Sequence, residues 1–129
     1  MLVLTNISAI NAQVLYDTNE AVIRKINKQI PGEFNISDVI IKTDIKNDNY
    51  VIRVDIDIPI RTNLKLLVKD TTGTTLIYLI NDEYLTAGKY RIKWNMAKCK
   101  VNDCYYPKGK YICEFETEQF IYQRDFYLN

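Results

Sequence analysis

Leu64-Lys-Leu-Leu-Val-Lys-Asp-Thr-Thr-Gly73, Leu85-Thr-Ala-Gly-Lys-Tyr-Arg-Ile-Lys-Trp-Asn95 and Lys108-Gly-Lys-Tyr-Ile-Cys-Glu-Phe115 follow one another along the chain, each setting a short apolar-rich run beside a glycine turn. Glycine reaches backbone conformations that β-branched neighbours avoid, so these turns can reverse the chain sharply. Short strands spaced by such turns are the rhythm of an antiparallel β-sandwich.

Working outward, the clearest strand lies just upstream. Ile52, Val54, Ile56, Ile58 and Ile60 alternate with Val51, Arg53, Asp55 and Asp57. Successive side chains of a strand point to opposite faces, so one face is apolar and the other mostly polar. Pro59 cannot donate to a ladder, which predicts a sheet edge or a bulge there. Further runs fall at Leu64–Lys69, Thr75–Ile80, Lys89–Trp94, Lys110–Thr117 and Phe120–Leu128, with an earlier one at Val39–Ile45. With Tyr50–Ile58 they predict an all-β fold: an immunoglobulin-like antiparallel sandwich of about seven strands over residues 34–129. Asp70-Thr-Thr-Gly73 closes one hairpin, Asp82-Glu83 and Ala87-Gly88 mark the next connection, and Pro107-Lys108-Gly109 marks the last tight one.

Residues 1–33 read as a separate N-terminal segment with one amphipathic helix. Asp17 and Glu20 stand three residues apart, the spacing of a capping box, ahead of Ala21-Val-Ile-Arg-Lys-Ile-Asn-Lys-Gln-Ile30. Val22, Ile23, Ile26 and Ile30 fall on one helical face, and Pro31-Gly32 stops the helix. That face either covers its own sandwich or docks on a neighbouring subunit.

The chain of 129 residues fits one domain, and its 47% hydrophobic and 26% charged content is that of a globular protein. Seventeen basic against sixteen acidic residues leave a net charge of +1, with the signs mixed along the chain, so neither nucleic acid nor an anionic membrane is expected as a partner. Met1-Leu-Val-Leu-Thr5 lacks the basic region of a secretory signal, and no apolar stretch approaches the ~20 residues of a membrane span. The expectation is cytoplasmic synthesis without a secretory signal and residence in a virion or other particle. Cys99, Cys104 and Cys113 form an odd set, read as reduced thiols.

Histidine is absent, which removes the usual general base and every imidazole-dependent triad. The four glycines are scattered, so no phosphate-cradling loop exists. An enzyme would have to run on carboxylates such as Asp55/Asp57 or Glu114/Glu116/Glu118, whose i, i+2 spacing a solvated strand face explains equally. The three cysteines lack the close paired spacing of structural zinc. Asp44, Asn47, Asp48 and Asn49 have the oxygen ligands of a calcium loop but are also ordinary turn formers. No catalytic residue, cofactor or metal is therefore assigned.

Aromatic residues are the less ordinary feature, with ten tyrosines. Trp94 reads as the large core anchor between the sheets. Tyr105, Tyr106, Tyr122 and Tyr127 are read as exposed and suited to contact. Leu4, Ile7, Ile10 and Val14 belong to an N-terminal run more apolar than a solvated tail would keep. These eight residues are the candidate partner-binding set.

Ile58-Pro59, Asn63-Leu64-Lys65-Leu66, Val68-Lys69-Asp70, Gly73, Leu79, Ala87-Gly88, Tyr90, Ile92, Trp94-Asn95 and Gly109-Lys110-Tyr111 form a pattern that is similar to the immunoglobulin-like domain of flagellar hook-capping proteins. The pattern also resembles the sandwich tails of many secreted proteins of Bacteroidetes-type bacteria. It covers roughly the C-terminal 75 residues. Where those domains usually place Asp-Gly after the tryptophan, this chain has Asn95-Met96 and then the segment from Cys99 to Cys104. The resemblance implies a sandwich with a non-catalytic role in assembly or attachment. The expected function is that of a structural subunit, foremost a bacteriophage capsid-decorating or neck protein, with a flagellar or cell-surface assembly factor or a carbohydrate-binding module as the alternative. Its expected partners are other protein subunits, further copies of itself included.

Overall fold

The computed structural model describes residues 14–17, 21–27, 29–98 and 106–129. They form two antiparallel sheets built from β1 (Val14–Asp17), β2 (Ala21–Asn27), β3 (Asn35–Ile36), β4 (Ile40–Asp44), β5 (Asn49–Ile58), β6 (Thr62–Lys69), β7 (Thr75–Leu85), β8 (Gly88–Ala97), β9 (Gly109–Thr117) and β10 (Ile121–Leu128). Sheet A runs β1-β2-β8-β5-β3, with β4 also paired to β5, and sheet B runs β10-β9-β6-β7.

β5 is the strand whose alternation was plainest, and it lies in the interior of sheet A. Tyr50, Ile52, Val54, Ile56 and Ile58 are buried while the residues between them are half-exposed. β8 flanks β5 on one side, and β3 and β4 share the other. The edge position suggested by Pro59 is therefore corrected. The proline follows the last residue of β5, where no ladder bond is required of it.

The helix expected over Ala21–Ile30 is also corrected, because Ala21–Asn27 is β2, paired along the free side of β8. Two patterns coexist in this stretch. Val22, Ile23 and Ile26 suit a helical face, but Ala21 and Ile23 also alternate with Val22 and Arg24, and β-branched residues favour the pleat. The unpaired edge of β8 decides between them, burying Ala21 and Ile23 against the core. Asp17, read as a cap, lies in β1 opposite Val22. Lys25 runs its stem across Gly88, where an added Cβ would lie 2.3 Å from Lys25 Cε, and donates to Thr86 Oγ1 at 3.0 Å. Only glycine permits that crossing.

Between the sheets, Trp94 of β8 is 2% exposed and meets Phe126 of β10 edge-on at 6.2 Å. Phe126 stacks on Tyr111 at 5.7 Å. Cys113 and Phe115 extend this layer along β9. Asp70-Thr-Thr-Gly73 closes the β6–β7 hairpin as expected. Gly73 has φ 88° and the Asp70 carboxylate accepts from the N–H groups of Thr72 and Thr74. The connection expected at Asp82-Glu83 is instead a bulge inside β7. Asn81 and Asp82 together oppose Lys65, and Asp82 takes φ 59°.

Candidate functional site

Three surfaces carry groups that the core does not consume. The first is formed by the edge strands of sheet B. Leu76, Tyr78 and Tyr84 are exposed on β7, and Ile121, Tyr122 and Tyr127 on β10. Leu67 stands opposite Tyr78 and Glu114 on the outward face and is itself buried. Glu114 is buried on that same face. Its Oε1 accepts from Gln123 Nε2 at 2.8 Å, and Lys69 Nζ lies 3.0 Å from Oε2 as an ion pair without hydrogen-bond alignment.

The second surface is a shallow cleft where β6 begins and β7 ends. Phe34, Ile60, Arg61, Asn63, Tyr84 and Glu118 line one half of about 190 Å³, and Lys65, Asp82, Glu116 and Glu118 line an adjoining half of about 160 Å³. Arg61 lies over the Tyr84 ring at 4.2 Å. Asn63 lines both halves, and its side-chain oxygen is buried without a donor. A buried amide oxygen in that state lacks the donor it calls for, and the cleft beside it is lined by the carboxylates of Asp82, Glu116 and Glu118.

The third is the outer face of sheet A. Arg91 makes two bonds to Asp55 at 2.9 and 3.1 Å, and Lys89 pairs with Asp57 at 3.2 Å. These pairs give Asp55 and Asp57 structural partners across the strands, the role expected of a polar strand face. Arg24 stands directly across from Arg91, and Arg53 directly across from Lys93.

Among the described residues, the candidate partner-binding positions do not converge. Tyr122 and Tyr127 are both exposed on β10, at its two ends: Tyr122 stacks on Phe120 at 4.3 Å, whereas Tyr127 stands opposite Lys110. Tyr106 packs half-buried against the core, and the backbone of Val14 pairs opposite Arg24. Leu4, Ile7, Ile10 and Tyr105 lie outside the described residues. The sequence reading missed the cleft, because Arg61, Asn63, Asp82, Tyr84 and Glu118 come from three separate segments that only strand pairing brings together. The single local signal was Asn81-Asp82, a turn-forming pair inside an apolar run.

The thiol of Cys113 is fully buried, and burial, with the nearby Glu114 charge, pushes it up to about 12. It is a neutral core group, neither nucleophile nor ready thiolate ligand. In the calcium-like loop, Asp44 accepts from the backbone and side-chain nitrogens of Asn47 at 3.3 and 2.8 Å, so its carboxylate is engaged in closing the turn. No helix among the described residues is long and apolar enough to cross a membrane. Comparison with protein-family models, with curated proteins and with solved structures gave no match to this chain.

Proposed function

We propose that this protein is a non-enzymatic structural subunit of a larger assembly, its particular case a virion component such as a bacteriophage capsid-decorating or neck protein. The observation that carries the reading is the distribution of exposed apolar groups. Six of the ten large hydrophobic residues exposed among the described residues lie on β7 and β10, the two edges of sheet B. An edge strand offers unpaired backbone groups, and apolar side chains beside them suit pairing with another protein.

The sandwich is read as immunoglobulin-like. β5 and β8 occupy the places of strands B and E, and β6, β9 and β10 those of C, F and G. Tyr111, at the start of β9, donates its hydroxyl to the Pro107 carbonyl at 2.5 Å and stands two residues before buried Cys113. That is the arrangement of the tyrosine corner in immunoglobulin domains. Such domains commonly serve as scaffolds whose edges and loops make contacts, which accords with the assembly role implied by the hook-cap resemblance.

The test is a density gradient of lysate from the source organism expressing the tagged full chain. The protein should travel with a particle far heavier than its own 15.1 kDa. Tyr78→Asp and Tyr127→Asp, both at exposed positions, should release it while leaving its circular dichroism unchanged. Sedimentation of the wild-type chain as a free protein overturns the reading.

A further inference from the structure

We infer that the outer face of sheet A docks on the cleft of sheet B in a second copy of this chain, joining copies head to tail. The inference rests on the assembly reading above and deepens it by naming one contact and its partner.

Sheet A turns an unusual charge pattern outward. Register places Arg24, Lys42, Arg53, Lys89, Arg91 and Lys93 on this face, with Asp44, Asp55 and Asp57 as the carboxylates among its described side chains. Among the described side chains, six cations against three anions leave +3 on one face of a chain whose total is +1. Four of the cations lie in two directly opposed like-charge pairs, Arg24 with Arg91 and Arg53 with Lys93. Directly opposed like charges destabilise a sheet. Asp55 offsets Arg91 and Asp57 offsets Lys89, but Arg24, Lys42, Arg53 and Lys93 form no ion pair among the described residues. The face is thus strained by repulsion that an anionic partner would relieve.

The complement is on the other sheet. Asp82, Glu116 and Glu118 line the cleft against Arg61 and Lys65, a balance of −1, and Arg61 is already laid over Tyr84. The buried Asn63 oxygen without a donor lies in the same cleft. A lysine or arginine side chain entering there would meet the carboxylates of Asp82, Glu116 and Glu118, the partners that satisfy a cationic head. Exposed Lys93 and half-exposed Arg53 are the central cations of the face and supply such heads.

A protein surface fits this face better than a phosphate backbone. Asp55 and Asp57 sit within it and would repel phosphates, and Val22, Ile40 and Val51 lie between the charges. Basic face and acidic cleft belong to different sheets, so they differ from each other and the contact is heterologous. Such contacts propagate as open chains or rings rather than closing as a two-fold dimer.

Sedimentation velocity of the full chain over a concentration series tests this in about 20 mM and about 500 mM salt, the second of which screens charges beyond ~4 Å. At low salt the wild-type chain should grow beyond a dimer, and at high salt it should return to the 15.1 kDa monomer. Arg53→Gln with Lys93→Gln, and separately Glu116→Gln with Glu118→Gln, should each weaken association at least about tenfold, the equivalent of ~1.4 kcal/mol. Mixed together, the two variants retain one intact half-contact each and should stop at a heterodimer. Circular dichroism of both confirms that they fold. A wild-type chain that stays monomeric at low salt, or variants that associate like wild type, overturns the inference. So does salt-sensitive binding of a random-sequence DNA duplex that Arg53→Gln with Lys93→Gln abolishes. A monomer at low salt that still travels with a host particle in the gradient leaves the assembly reading standing without the self-contact.

Discussion

Sheet A and sheet B bury the same kinds of side chain between them, yet their outer faces handle charge in opposite ways. On sheet A the carboxylates Asp55 and Asp57 are partly exposed and paired across the strands, and unpaired cations surround them. On sheet B the central carboxylate, Glu114, is 2% exposed and sits beside buried Leu67, held by Gln123 and Lys69. The difference follows from the neighbours. Long basic side chains on sheet A keep their heads in water, whereas Leu67 and the stems of Lys69 and Gln123 close over Glu114. One face therefore attracts at a distance, and the other has apolar edges suited to close contact.

The largest expected effect belongs to the core that the two sheets share. Trp94→Ala should lower stability by about 3–5 kcal/mol in a denaturant titration, because it empties the contact with Phe126 that ties β8 to β10. An unchanged midpoint would mean that the sheets are not joined there.

Next comes the buried carboxylate of sheet B. Lys69→Met should cost about 2–3 kcal/mol by leaving the Glu114 charge with Gln123 alone. Lys69→Met combined with Glu114→Leu should recover most of that loss, since both charges then leave a site that Leu67 already makes apolar. If the double variant is no better than the single, the burial contrast between the faces is not an electrostatic one.

Sheet A should respond with the opposite sign. Lys93→Gln removes a cation directly across from Arg53 and should stabilise the fold by about 0.2–1 kcal/mol at low salt, fading as salt rises. Destabilisation that is independent of salt would contradict the repulsion.

The smallest effect is one in which the sheets should agree. Asp70 in the β6–β7 turn is held below its ordinary 3.8 chiefly by the Thr72 hydroxyl, and Asp44 in the β4–β5 turn by the Asn47 side chain. A lowered carboxyl pKa contributes stability above 3.8 that is lost as pH falls through the folded value. Asp70→Asn and Asp44→Asn should therefore each flatten the decline of melting temperature below that pH.

Much of the sandwich was legible in the sequence because its signals are local. β5 alternates without interruption, and Gly73, Gly88 and Gly109 mark where strands begin or reverse. β2 was not legible, since its seven residues satisfy a helical and a strand pattern together and the deciding partner, the free side of β8, lies some seventy residues away. β3 spans only two residues and carries no period at all. The cleft was hidden for a related reason. Asn63 and Glu118 become neighbours only through the pairing of β6 with β9, and the orphaned Asn63 oxygen is a property of packing. The basic face of sheet A was masked by counting, because a net charge of +1 averages over faces that differ in sign.

Amide hydrogen exchange on the tagged full chain, compared between its free and particle-bound states, tests the assembly account most directly. The account predicts that exchange slows on binding along the outer edges of β7, over Thr75–Leu85, and of β10, over Ile121–Leu128, while central β5 is already protected in both states. Equal exchange at β7 and β10 in the two states, with slowing confined to other strands, would contradict it.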